Sequence, residues 1–468
     1  MRTPLAHSAR KNYPPQTYEA HVRGVCERAG KYAAEAECYS VKANGILSTI
    51  VRDSALLHDL GKLEERNQSV LCEQSRRRRH LPVDHTDAGS AALQKMGSGC
   101  AAMLVYSHHQ GLPDLSTEFA ARGCSIFRNG NAAVRAETDA ALPALLRQHE
   151  ALFPRKPNKE VQAYDGDPAV FLRMALSCLA DADHGDTAAA FGQTEKAMPE
   201  LRPQERLAAL DHYVSKFGET DERSSLRREL YQSCRSVEAH SGFSVCGSPV
   251  GSGKTTAVMA HLLEQACKRN ARRIFVVLPY TSIIRQSVDI YRKALVLPGE
   301  TPEDVVAELH SRADFEDIET RYLTALWRAP IVVTTAVAFF ETLSSHNPAA
   351  LRRLHELPGS LIFVDEAHSA LPIRLLPLAW HWMNVLADEW SCYWVLASGS
   401  LVRYWELQPL SGLSMPQPEI AELVRPDLQR ELSRYESSRI TFRWREKPIG
   451  RKELPKWVQE APGPRLLI

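Results

Sequence analysis

A histidine abuts an aspartate in LLHDLGK (residues 56–62), and four other places in the first 215 residues carry the same kinds of group. They are His21 in YEAH, His85 in VDHTDAGSA, His108 with His109 in YSHHQG, and Asp181 in LADADHGDT. Neutral imidazoles and carboxylates are the ligand types of zinc, manganese, iron, cobalt and nickel sites, and the two oxygens of an aspartate can bridge a pair of ions. Asp59 is the natural bridge. Neighbouring helical residues point about 100 degrees apart, so His58 with Asp59, and His108 with His109, serve one site only where helices converge. Asp183 and His184 lie close by in sequence and take no assigned role. Lys62, one turn after Asp59, is placed to neutralise a phosphate oxygen.

A different chemistry is written in SPVGSGKTT (248–256), which follows the apolar FSVCG and opens the helical AVMAHLLEQ. That strand, loop, helix context is the one a phosphate-binding loop requires. Gly251 and Gly253 let the backbone approach, amides at the helix start hold phosphate oxygens, Lys254 reaches the β- and γ-phosphates, and Thr255 ligates magnesium. Ser248, Ser252 and Thr256 complete the expected ATP-binding set. LIFVDEAHS (361–369) then puts an acidic pair at the end of an apolar strand: Asp365 to hold the magnesium ion and Glu366 to polarise the attacking water.

The elements that must carry these groups change texture along the chain. Up to about residue 215, Ala/Leu-rich segments with apolar spacings of three and four predict an all-α domain, 1–215. A charged stretch, 216–240, reads as a linker or connecting helix. From there, short apolar runs (FSVCGS, RIFVVLP, PIVVTTA, SLIFVDE, YWVLASGS) alternate with helical segments, which predicts an α/β domain with a mainly parallel sheet over 241–440. The 44% hydrophobic and 24% charged composition is that of a globular chain, and no apolar run nears the ~20 residues of a membrane helix. The start, MRTPLAHSARKNYPPQ, lacks an apolar signal region, so a cytoplasmic location without membrane partners is expected. Ten scattered cysteines form no C-x-x-C pair, which argues against a zinc ribbon or a disulfide framework. With 57 basic against 56 acidic residues the net charge is only +1, so a polyanion must be held by local patches, of which RRRR (76–79) and 439–456 are the candidates.

In order and context, His21, His58 with Asp59, and Asp181 resemble the HD phosphohydrolase superfamily. That resemblance implies that His85, His108 and His109 join them around two divalent transition-metal ions, manganese, iron, cobalt or nickel, for phosphodiester hydrolysis. A ligand set so rich in imidazole leans away from magnesium alone. The phosphate loop and DEAH resemble superfamily two helicases, which implies ATP with magnesium as cofactor and His368 as the link between nucleotide state and nucleic acid. In that family order, VVLPYTSIIRQ offers Thr281, Arg285 and Gln286, and VVTTAVAF offers Thr334 and Thr335, as contacts to a nucleic-acid backbone. ASGSL puts Ser398, Gly399 and Ser400 where the family has Ser-Ala-Thr, a coupling motif from which the middle and last positions depart.

Together, a metal nuclease followed by such a motor resembles the CRISPR-associated nuclease-helicase of type I interference. The resemblance implies single-stranded DNA as substrate and the Cascade surveillance complex as partner, with a phage inhibitor or a separate second helicase lobe as further candidates. The closing PRLLI reads as the start of a second RecA-like domain, with 441–468 as the connection to it, so the motor is expected to be incomplete. Two alternatives stand beside this reading: an HD nucleotide phosphohydrolase regulated by an ATPase domain, and a catalytically silent Cascade-binding adaptor.

Overall fold

Apolar residues at helical spacing bury one stripe each, and such stripes are stable only against one another, which is how the first 190 residues are built. In this computed structural model, the residues described are 3–10, 12–73, 80–158, 163–193, 196–309, 327–407, 418–439, 446–460 and 462. RRRR (76–79), PRLLI and part of the 439–456 basic stretch lie outside them. The helical half comprises α1 (Tyr18–Glu37), α2 (Ile46–Leu57), α3 (Glu65–Cys72), α4 (His85–Lys95), α5 (Gly99–Gln110), α6 (Leu115–Arg122), α7 (Ala132–Leu152) and α8 (Pro168–Ala190). Thr17 starts α1 by accepting the Ala20 amide; Asp167 and Pro168 start α8 in the same way, through the Val170 amide and a pre-set φ. α8 is the central rod, packed on α1, α2 and α5. A two-stranded antiparallel ribbon, β1 (Leu5–His7) with β2 (Gln16–Thr17), precedes it; the helical pattern gave no sign of this ribbon.

The second half is a seven-stranded sheet whose pairings are all parallel, in the order β5-β6-β4-β7-β8-β3-β9. The five expected apolar runs are β3 (Phe243–Gly247), β4 (Ile274–Leu278), β6 (Ile331–Thr335), β7 (Leu361–Asp365) and β8 (Tyr393–Ser398), almost wholly buried as central parallel strands must be. The two edges, β5 (Val306–Leu309) and β9 (Ile420–Glu422), were not expected, because each is short and carries a glutamate. α9 (Pro203–Ser215) and α10 (Glu222–Ser236) do not belong to the helical half or to a linker. Leu207, Leu210, Leu226 and Leu230 share a core with Val258, Leu262 and Val288 of α11 (Lys254–Arg269) and α12 (Thr281–Leu295). Fully buried Arg206 fastens α9 there through Glu300 (2.8 and 2.9 Å) and the Leu295 carbonyl (2.8 Å). The boundary therefore falls between α8 and α9.

The halves are not separate globules. One continuous apolar cluster runs from Tyr18, Leu47 and Leu176 to Phe275, Trp327 and Leu354. Across it, α8 meets the segment Leu354–Glu356, where Ser177 Oγ contacts His355 Nδ1 at 3.0 Å and His355 stacks on Tyr32. Among the described residues, no helix is long and apolar enough to cross a membrane.

Candidate functional site

α2 ends at His58, whose Nδ1 lies 2.8 Å from the Ala55 carbonyl. A carbonyl only accepts, so Nδ1 donates to it and Nε2 faces inward. His108, near the end of α5, repeats the device with the Val105 carbonyl at 2.6 Å. The chain after His58 turns through Leu60–Leu63, which brings Lys62 Nζ to 2.6 Å from Asp59 Oδ2. Gly61 is needed in that turn: a Cβ there would stand 2.6 Å from the backbone of His85, the first residue of α4. The residue type in HDLGK thus decides how close the α4 histidine can approach Asp59.

Two ligand groups result, His21 with His58 and Asp183, and His85 with His108 and His109, each with its donor atoms within 4.8 Å of one another. Asp59 lies between them. Its Oδ2 is 3.1 Å from His21 Nε2 and 3.4 Å from His58 Nε2, and its Oδ1 is 3.7 Å from His85 Nε2. Both oxygens are buried; Oδ2 is ion-paired with Lys62, while Oδ1, His85 Nε2 and His108 Nε2 have no hydrogen-bond partner. Buried polar atoms without partners cost roughly 1–3 kcal/mol each, so three drawn together beside a carboxylate make a place that suits a cation. Imidazole and carboxylate donors suit a transition metal, and the residues present fit the ions expected from the sequence.

Charge is arranged to match. Burial would raise the Asp59 carboxyl, but Lys62, His58 and His21 outweigh it and hold it well below the usual range. Burial holds His85 and His108 down at about 4, and His108, then burial, holds exposed His109 at about 3, so all three are neutral imidazoles near pH 7. His21 differs. Burial opposes its charge, yet the carboxylates of Asp183, Asp186 and Asp59 around the ring raise it to about 10, a cation at the spot where a metal ion would replace the proton.

Asp181 is not in this pocket. It faces the other side of α8, where Arg352 Nε and Nη2 hold Oδ1 at 2.9 and 2.8 Å and Arg328 Nη2 holds Oδ2 at 2.7 Å. Two residues along a helix turn the side chain by about 200 degrees, so Asp183 takes the position expected of Asp181. Asp186, one turn further, accepts from His21 Nδ1 at 2.7 Å and orients the ring, a role sequence reasoning missed. His7 of the unforeseen ribbon was missed too; it meets the His21 ring edge-on with centroids 4.8 Å apart.

The nucleotide pocket is local by contrast. Gly251 (φ +87°) and Gly253 (φ +93°) take left-handed backbone that favours glycine, and Lys254 starts α11. Lys254 Nζ is buried without a hydrogen bond, 3.7 Å from Asp365 and 3.6 Å from Glu366, as an ammonium awaiting phosphate would be. Ser248 and Ser252 hydroxyls pair at 2.6 Å, Thr256 bonds back to the Gly253 carbonyl at 3.1 Å, and Thr255 lies partly exposed beside them. α10, expected only to connect, closes the loop: Arg227 donates to the Gly251 carbonyl at 3.0 and 2.7 Å. Glu366 sits at φ +48°, a strained conformation for a residue with a side chain. Ser398 Oγ joins it at 2.8 Å and His368 Nδ1 at 2.9 Å, while the Ser400 amide donates to Ser398. Ser398 therefore makes the side-chain link to the DEAH residues, beside the Ala367 amide that donates to the Ala397 carbonyl at 3.1 Å.

Of the expected backbone contacts, Arg285 and Gln286 are exposed on α12 and Thr281 is its first residue. Thr334 is fully buried and Thr335 spends its hydroxyl capping the helix Ala336–Ser344, so neither offers a side chain to a strand; Tyr280 and Val337 are the exposed neighbours. Both loops follow adjacent strands, β4 and β6, at the carboxyl ends where parallel sheets bind ligands.

Residues 231–374 match the DEAD/DEAH box helicase family. No curated protein matches the sequence significantly. Among solved structures, a crystal structure of T. fusca Cas3 is similar with a TM-score of 0.54 at 18% identity, covering 90% of this chain and 55% of that one. T. fusca Cas3-AMPPNP gives 0.53 at 17% over 86% and 51%, and Cas3-ATP 0.53 at 18% over 89% and 54%. This chain spans about half the length of the Cas3 chains it matches. Residues 231–374 are thus similar to a DEAD/DEAH box helicase domain, within a fold like that of T. fusca Cas3.

Proposed function

We propose that the chain is a metal-dependent nuclease that cleaves single-stranded DNA, joined to an ATP-driven superfamily two motor, and that it works in CRISPR type I interference with the Cascade complex as partner. The observation that supports this most is Asp59, its two buried oxygens turned to separate histidine groups. Two divalent ions held by His21, His58, Asp59 and Asp183 on one side and Asp59, His85, His108 and His109 on the other would activate a water and neutralise the phosphate. Lys62 fixes the Asp59 carboxylate and brings a positive charge to the phosphate side of the pocket. Asp186 holds the His21 ring so that Nε2 faces inward, and burial keeps the second group deprotonated. In the sheet half, Lys254 and the loop amides bind the phosphates of ATP, Asp365 holds magnesium and Glu366 orients water. This sheet forms one wall of that pocket, and turnover in this reading requires a second lobe that supplies opposing arginines.

The decisive experiment is metal analysis of the purified chain with a chelator-controlled assay on circular single-stranded DNA. Asp59→Ala should cleave no faster than the chelated blank while binding ATP within twofold of the parent. Retained cleavage in that variant would refute the metal assignment, and a preference for mononucleotides over DNA would move the reading to a nucleotide phosphohydrolase.

A further inference from the structure

His21 takes the direction of its ring from Asp186, so whatever holds Asp186 decides where that imidazole points. Asp186 Oδ2 accepts from two donors: His21 Nδ1 at 2.7 Å and, from the second strand of the ribbon, Gln16 Nε2, also at 2.7 Å. A carboxylate only accepts, so the amide nitrogen is the atom turned to it. The Gln16 carbonyl oxygen is left buried, with no hydrogen-bond partner among the described residues. A glutamine that merely decorated a surface strand would keep that oxygen in water; this one is oriented by the carboxylate.

The other oxygen has its own seat. Gly24 lies one turn after His21 on α1, and a Cβ there would stand 1.9 Å from Asp186 Oδ1. Glycine is the poorest helix former after proline, and Gly24 sits inside a 20-residue helix without a left-handed φ, so the backbone does not call for it. The space it leaves for the carboxylate does. Gln16 is held in turn, because it pairs with His7 across the ribbon and His7 Nε2 lies 3.1 Å from Thr187 Oγ1 on α8. Leu5 of the same strand exchanges hydrogen bonds of 2.9 and 2.8 Å with the Gln68 side chain, whose amide also donates to the Lys62 carbonyl at 2.7 Å. The ribbon is thereby tied to two of the elements that build the metal pocket.

We infer that Gln16 and Gly24 are positioning residues for the ion on the His21 side of the pocket, Gln16 by holding the Asp186 carboxylate and Gly24 by leaving room for it. Together they keep His21 Nε2 aimed inward, where it meets His58 and Asp183. The inference rests on the metal reading above and deepens it, because it makes the two ions depend unequally on the ribbon. The contacts of Gln16 and Gly24 run to Asp186, and Asp186 engages His21, which belongs to one ligand group only. The group of His85, His108 and His109 should not feel their loss.

The test uses the full chain, stripped with chelator, dialysed and titrated with cobalt(II). The d–d absorption reports the ligand geometry, and competition with a chromophoric chelator gives the two stepwise affinities. Gln16→Met, of equal length but without a donor, should weaken one of the two ions by about tenfold, the low end of the ~10–100-fold expected of groups behind ligating histidines, and leave the other within twofold of the parent. Gly24→Ala should weaken the same ion at least as much while the metal-free chain melts no lower than the parent, since alanine favours the helix and only the carboxylate must move. Both ions within twofold of the parent in both variants overturns the inference, as does an equal loss of both ions with lower melting, which is the mark of a merely structural role. Failure of the metal reading shows separately, as a parent chain that takes up no cobalt.

Discussion

The candidate nucleotide pocket and the candidate metal pocket are assembled in opposite ways. In the sheet half the groups come from loops after β3 and β7, which flank β8, and Ser398 at the end of β8 joins them across the gap. In the helical half they arrive from α1, the end of α2, α4, α5 and α8, and no two of those elements are held in register by backbone pairing. The first pocket exists wherever one strand, loop and helix form. The second exists only if five helices pack correctly, so it should respond to changes far from its ligands.

The sharpest way to break this contrast is the pair Asp183→Asn and Asp181→Asn. The first should abolish cleavage and deplete metal, a loss beyond the ~10–100-fold of a supporting partner. The second should leave metal per folded chain unchanged and cost about 3–5 kcal/mol in urea unfolding, because it strips a buried carboxylate from two arginines. Equal metal loss in both would mean that α8 has no two-faced division of labour. Lys254→Ala should lose ATP binding while cleaving DNA that is already single-stranded within twofold of the parent; strict ATP dependence on that substrate would show the pockets to be inseparable. Asp186→Asn should weaken metal affinity by roughly 10–100-fold with little change in melting, by analogy with other carboxylates behind ligating histidines.

The smallest effect is a pH dependence at the seam. Burial would raise the Glu356 carboxyl, but Arg273, His355, Arg272 and Arg328 outweigh it and hold it at about 2, against 4.5 ordinarily. Between those values the unfolded chain binds the proton and the folded one does not, so this contribution is complete above about pH 4.5 and is lost as pH falls towards 2. Glu356→Gln should be less stable at neutral pH and show a flatter decline of the urea midpoint below pH 4.5. A parallel decline in both proteins would remove Glu356 as the cause.

The same contrast explains what could be read in advance. The phosphate loop and the acidic pair are contiguous, so their chemistry and their geometry share one stretch of chain. Histidine and aspartate types led to the expectation of a metal pocket, but a helix gives nearby acids opposite directions, and LADAD does not say which one faces inward. Asp186 held a clue: it shares a face with Asp183 at a spacing of three, and not with Asp181. α9 displays a proper apolar stripe in Leu207 and Leu210, yet a stripe does not name the core that receives it, and the boundary was placed one helix late. Edge strands as brief as β5 and β9 leave too few residues for a period to register, and the ribbon with His7 falls in the same class.

The unbroken cluster that reaches from Tyr18 to Trp327 has a practical meaning for anyone who wants either half alone. A protease nick or a gene break between α8 and α9 would leave Asp181 without its guanidinium partners and bare the greasy underside of a central rod. Dissection would then yield inclusion bodies instead of two folded halves. The halves must be studied by silencing one with a point change inside the intact polypeptide.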